Sequence, residues 1–113
     1  MKNHAHDATA LPFVTTGNWN ERHCFWSVNP SGNDFEDARM GKEYAHAYLE
    51  FESDNKAGSV LSIILDDMIT AKDRSLVAKH FIYEIASALE LALENPWFIE
   101  AVKNRRKKEL PFI

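Results

Sequence analysis

One cysteine, Cys24, is all the thiol that the 113-residue chain carries. A lone cysteine closes no intrachain disulfide and completes no zinc knuckle, so a disulfide scaffold is excluded and a reducing, cytoplasmic setting is the expectation. Long apolar runs are also missing. No window approaches the roughly 18 apolar residues of a membrane span, and Met1-Lys2-Asn3-His4-Ala5-His6-Asp7 is followed by no apolar signal region, so no membrane partner is expected. Glycine is sparse and scattered: Gly17, Gly32, Gly41 and Gly58 stand apart, and no phosphate-cradling loop or other cofactor motif is formed. The expected cofactor is therefore none. Internal repeats and low-complexity segments are lacking too.

What is present is the balance of a folded protein, 45% hydrophobic and 27% charged. A chain of this length fits one domain, read here as residues 11–113 behind a flexible tail over 1–10. The net charge of −4 is uneven. Residues 103–113 hold five basic side chains against Glu109, a net +4 that leaves −8 on the rest of the chain.

From Leu11 to Ser31, aromatic and β-branched runs (Phe13-Val14-Thr15-Thr16 and His23-Cys24-Phe25-Trp26-Ser27-Val28) are bounded by Gly17-Asn18 and Asn29-Pro30-Ser31-Gly32. That texture predicts a short β-hairpin, with Cys24, Trp26 and Val28 facing the helices. Asn33 with Glu36 three residues on predicts a capped helix start. Residues 44–52 carry a second pattern, since Ala45, Ala47, Leu49 and Phe51 alternate as in a strand; the alanine and glutamate content argues for helix. Gly58-Ser59 is expected to open a second helix striped by Leu61, Ile64, Leu65 and Met68. Asp73 is expected to cap a third, with Leu76, Val77, Phe81, Ile85, Ala88, Leu89 and Ala92 on its apolar face. Asn95-Pro96 predicts a fourth helix, which Pro111 stops by about Glu109, leaving Leu110 to Ile113 extended. The fold class is accordingly mainly α, a β-hairpin followed by three or four helices. It becomes α+β if 44–52 form a strand.

Four chemistries are testable in these residues. Glu43 and His46 form a Glu-x-x-His unit, and His80 with Glu84 offers a second imidazole and carboxylate at helical spacing, the donor types of a metal site. Such short pairs equally arise as solvated helix-surface contacts. His23 and Cys24 are neighbours, but adjacent strand residues point to opposite faces, which predicts a buried thiol and an exposed imidazole rather than a catalytic pair. Asp66 and Asp67 diverge by about 100° on a helix and read as a solvated edge. Glu36, Glu43 and Glu50, spaced by seven, form one acidic side of the first helix.

The basic end supplies the remaining candidates. Arg105, Arg106, Lys107 and Lys108, with Lys103 before them and Trp97 and Phe98 at the start of the same helix, suit a partner-binding surface. Nucleic acid is the other ligand these residue types allow, by phosphate contact and base stacking, but an acidic body repels a phosphate backbone and a helix C-terminus attracts cations without any ligand. The reading that follows is a small, non-enzymatic interaction or regulatory protein that self-associates or meets another protein. A nucleic-acid accessory protein comes second and a metal-binding helical protein or enzyme third.

Overall fold

The computed structural model describes residues 7–18, 21–55 and 60–109, with side chains as far as Lys107. Four helices follow an irregular N-terminal segment: α1 (Asp34–Asn55), α2 (Val60–Thr70), α3 (Leu76–Leu93) and α4 (Pro96–Glu109). Residues 1–6 of the expected tail, the Gly58-Ser59 helix start and the extended end at Leu110 to Ile113 lie outside the described residues.

The first helix starts where the capping pattern places it, because Asn33 Oδ1 accepts the Glu36 amide at 3.0 Å. The Glu36 carboxylate does not return to close a capping box; it pairs with Arg39 at 2.7 Å instead. Helix α1 then runs unbroken through 44–52. Its buried positions, Gly41, Ala45, Tyr48 and Phe51, follow helical spacing, and the alternation of small and apolar residues there does not produce a strand. The third helix begins later than expected. Ser75 is its cap, accepting the Ala78 amide, while Asp73 accepts the Ser75 amide and Trp26 Nε1. Asn95 caps α4 through the Trp97 amide at 2.9 Å.

Helices α1 and α3 form the centre of the molecule. Gly41 meets Val77 and His46 meets Glu84, so the two helices run in the same general sense, and the short α2 carries the chain back between them. Gly41 is required by closeness: a Cβ there would sit 3.0 Å from both His80 Cβ and the Phe81 amide nitrogen, and nearer still to the Val77 carbonyl oxygen. Ala45 and Ala78, also buried, continue this small-residue seam.

No hairpin is formed among the described residues. The N-terminal segment has a 3-10 turn at Ala8–Ala10 and one isolated antiparallel bridge, Thr15 to Cys24. Its aromatics serve packing rather than a ladder. Phe13 and Trp26 lie fully buried with Phe81 and the half-buried Tyr44, at ring separations of 5.0 Å (Trp26 to Phe81), 5.3 Å (Phe13 to Trp26 and to Tyr44) and 5.6 Å (Phe13 to Phe81). Strand-like composition here reflects bulky residues that fit a buried surface, which need not be a sheet.

Two helix-borne carboxylates and one from the α2–α3 connection hold this N-terminal segment. Asp67 of α2 accepts the Phe25 amide at 2.7 Å and Arg22 Nη2 at 2.8 Å. Asp73 accepts Trp26 Nε1 at 2.8 Å, and Asp37 of α1 accepts the Ser31 amide and hydroxyl and the Gly32 amide. Gly32 makes the last contact with a φ of +87°, a left-handed conformation that glycine adopts without strain. Asp67 is thus not the solvated edge expected of the Asp66-Asp67 pair: Asp66 is exposed, Asp67 only 7% so.

Candidate interaction surface

The outer half of α3 and all of α4 carry apolar side chains that the core does not cover. Val77, Ala78 and Phe81 bury the first turns of α3. Beyond Ile85 the helix is apolar on more than one side, and Leu89, Leu91 and Leu93 remain 51%, 70% and 47% exposed. A helix apolar on several sides is normally a buried one. Trp97, at the start of α4, is 80% exposed, and Val102 is exposed further along. Among its described side chains α4 has no buried residue; Phe98 and Ile99 are half-buried where it leaves α3.

The same surface continues onto α2. That helix stands away from α3, and the groove between them is lined by Leu61, Leu65, Phe81, Ile82, Ile85, Ala86 and Leu89, without a charged side chain. Ile82 also borders an adjoining hollow with Ile69 and Met68, rimmed by Lys72, Asp73 and Arg74. The periodicity in the sequence placed Leu65 and Leu89 on core-facing stripes. Leu65 packs half-buried against the core as expected, whereas Leu89 is exposed because α3 outruns what its neighbours cover.

Charges are ordered along this surface. Glu90 is exposed on α3 and Glu94 at its C-cap, and Lys103, Arg105, Arg106 and Lys107 are exposed near the end of α4. The side chain of Lys108 lies outside the described residues. Trp97 does not share a face with the main basic stripe. Its turn continues to Glu100, Ala101 and Asn104, which line a shallow hollow with it, whereas Arg106 follows nine residues later, about half a turn around the helix. Base stacking on Trp97 and phosphate contact at Arg106 therefore address different directions.

The four expected metal donors do not converge. His46 Nε2 donates to Glu84 Oε2 at 2.9 Å across α1 and α3. Glu43 instead accepts from Arg39 Nη1 at 2.6 Å, and the His80 ring packs edge-on to Tyr83 at 5.3 Å. Among the described residues no group of three or more His, Cys, Asp or Glu side chains is placed to hold a metal ion. The His23 and Cys24 expectation is inverted: Cys24 is exposed, while His23 is half-buried and its Nδ1 accepts the Gly17 amide at 2.9 Å. The ring is thereby committed to a backbone turn.

Electrostatics mark the carboxylates as structural. Burial alone would raise the pKa of Asp67, but the Phe25 amide and the Arg22 guanidinium outweigh it and hold the carboxyl below its usual range. Asp73 is lowered in the same way, against its burial, by Ser75 and Trp26. Asp37 is lowered by the Ser31 amide and hydroxyl, burial opposing and the Gly32 amide adding to the effect. The Tyr48 phenol is pushed up to about 12 by burial and then by Glu52, whose carboxylate accepts its hydroxyl at 3.2 Å. None of these groups is poised to exchange a proton near neutrality.

No helix among the described residues is long and apolar enough to cross a membrane. No protein-family model, curated protein or solved structure matches the chain.

Proposed function

We propose that this chain is a small interaction or regulatory protein, not an enzyme, that docks a protein partner on the surface formed by the outer half of α3, the adjoining α2 groove and α4. The observation that carries this reading is the exposure of Leu89, Leu91 and Leu93 on the outer turns of α3 and of Trp97 at the start of α4. Scattered exposed leucines are ordinary, but several large apolar side chains exposed so close together along the chain, one of them a tryptophan, are the residue types of a protein interface. A helix-in-groove contact uses anchors of this kind at i, i+3, i+4 and i+7, which Ile82, Ile85, Ala86 and Leu89 supply.

Two further observations support it. The radius of gyration is 15.9 Å, against roughly 13 Å for a compact domain of this length, so the chain is looser than a closely packed domain. The aspartates and the histidine nearest to plausible chemistry, Asp37, Asp67, Asp73 and His23, are each engaged by the backbone or by a fixed side chain. An exposed lone thiol at Cys24 suits a reducing, cytoplasmic compartment. Nucleic-acid binding by α4 ranks lower because Trp97 and Arg106 diverge.

The test is site-specific photo-crosslinking in the native host, with the photoreactive residue at position 91 and, as control, at exposed position 42 of α1. A discrete adduct from position 91 and none from position 42 is expected. Absence of any protein adduct at position 91 overturns the reading.

A further inference from the structure

The groove between α2 and α3 is built from one face of each helix. On α3 its lining residues, from Phe81 to Leu89, fall within about 140° of arc, and on α2 those from Leu61 to Ile69 fall within about 100°. Its walls carry no polar side chain, and it encloses about 160 Å³. Past Ile82 it opens into a hollow of about 530 Å³ that keeps an apolar floor, Met68 and Ile69, but is rimmed by Lys72 and Arg74. Volumes of this order, roughly 300–1,000 Å³ in all, are those of small-molecule sites, where apolar walls meet a few placed polar groups.

The two cations at that rim are uncommitted. Among the described residues neither Lys72 nor Arg74 forms an ion pair. Asp73, the carboxylate lining the same hollow, has one oxygen on the Ser75 amide and the other on Trp26 Nε1. Lys72 stands at a φ of +56°, where glycine would end a helix without strain, and its ammonium is thereby placed at the rim. We infer that the groove binds an aliphatic carboxylate, its chain lying along Leu65, Ile85 and Leu89 and its carboxylate meeting Lys72 and Arg74. Charge fixes which end goes where: an anionic head is drawn to the two cations, a cationic one is repelled, and the walls offer a neutral polar head no partner. Length limits the chain, since Ile82 to Leu89 spans about 10 Å, the reach of a medium-length fatty acid. This site goes beyond the docking proposed above, and because Ile82, Ile85, Ala86 and Leu89 would serve both, ligand and partner helix exclude one another in the groove.

The experiment is an amide NMR titration of the full chain with octanoate, octan-1-ol and octyltrimethylammonium, each below its micellar range. The wild type is compared with Ala86→Trp and with the double variant Lys72→Gln, Arg74→Gln, and circular dichroism establishes that each variant is folded. Octanoate is expected to shift the amides of 72–74 and 82–89 saturably and to bind about tenfold more tightly than octan-1-ol, with the cation weakest. The double variant should lose that preference while still binding octan-1-ol, a result that lost folding does not mimic. Ala86→Trp, a large ring at an exposed position in the groove, should weaken both ligands by about tenfold. The inference is overturned by the absence of saturable shifts, by shifts centred elsewhere, by equal binding of the three probes, or by a preference that survives the double variant. A protein adduct from a photoreactive residue at position 82 that octanoate does not displace also overturns it, while leaving the docking surface standing. The position-91 crosslink bears on the docking alone, so the two readings fail separately.

Discussion

Replacing Gly41 by alanine tests the packing at the centre of the molecule, because helix propensity and tertiary contact push stability in opposite directions there. Within a helix, alanine is better than glycine by roughly 0.8–1 kcal/mol, so α1 taken alone gains. The added methyl, however, meets His80 Cβ at 3.0 Å and lies closer still to the Val77 carbonyl oxygen. Carbon atoms settle at roughly 3.5–4.0 Å, so α3 must retreat by something like an ångström, and its obstacle is backbone that cannot rotate away. Overpacking of this kind costs about 1–3 kcal/mol. The expected net effect is a loss of about 1–2 kcal/mol, read as a fall of roughly 4–12 °C in Tm for a domain of this size. Thermal melts at 222 nm and fixed protein concentration measure it, and Lys42→Gly against Lys42→Ala calibrates the propensity difference one residue away on the exposed side of α1. If Gly41→Ala raises Tm by the same amount that separates the Lys42 pair, the close approach of α1 to α3 is wrong.

Lys72 holds a φ of +56° after α2, where the Asp73 amide reaches back to the Met68 carbonyl, so Lys72→Gly should relieve left-handed strain and stabilise by about 0.5–1 kcal/mol in urea titration. Phe81→Ala removes a fully buried ring that touches Trp26 and Phe13, and a loss of about 3–5 kcal/mol is expected in the same assay; a loss below about 1 kcal/mol contradicts the aromatic cluster. The folded state holds the carboxyls of Asp37, Asp67 and Asp73 below their usual range, so their contribution is complete above the unfolded carboxylate value of about 3.9 and is lost as pH falls through the lower folded values. Stability should thus decline below about pH 4, and Asp67→Asn should be weaker at pH 7 with a shallower acid decline, followed by Trp26 fluorescence; an unaltered acid profile would argue against the clamp.

The helices were legible because their signals are local. Asn33 before Asp34 and Asn95 before Pro96 act within one turn, and both caps form as read. Residues 44–52 needed a tertiary contact to decide them: Ala45 and Phe51 belong to both periodicities, and burial of Gly41 and Tyr48 against α3 selects the helical one. The N-terminal segment was illegible for the complementary reason. Its decisive hydrogen bonds join Phe25 to Asp67 and Trp26 to Asp73, 42 and 47 residues apart, so an aromatic run that suits a strand is instead pinned flat on helices. In the candidate surface, residue types were visible but directions were not. Trp97 and the basic run were identified, whereas Leu89 and Leu91 became informative only once α3 proved longer than its neighbours could cover.

The sequence of α3 itself supports the proposed docking surface. Terminating the helix near Ile85 would have sufficed for the core, whose α3 contribution is Val77, Ala78 and Phe81 with Ile85 against it. Continuing with polar residues would have kept the extra turns soluble at no cost in helix propensity, since glutamate, lysine and arginine rank close to leucine. The continuation is Ala86-Ser87-Ala88-Leu89-Glu90-Leu91-Ala92-Leu93, which keeps three large leucines in water when the chain stands alone. Exposed apolar surface of that extent invites association. The half of α3 nearest α1 holds the fold together; the half beyond it carries the surface on which the proposed docking rests.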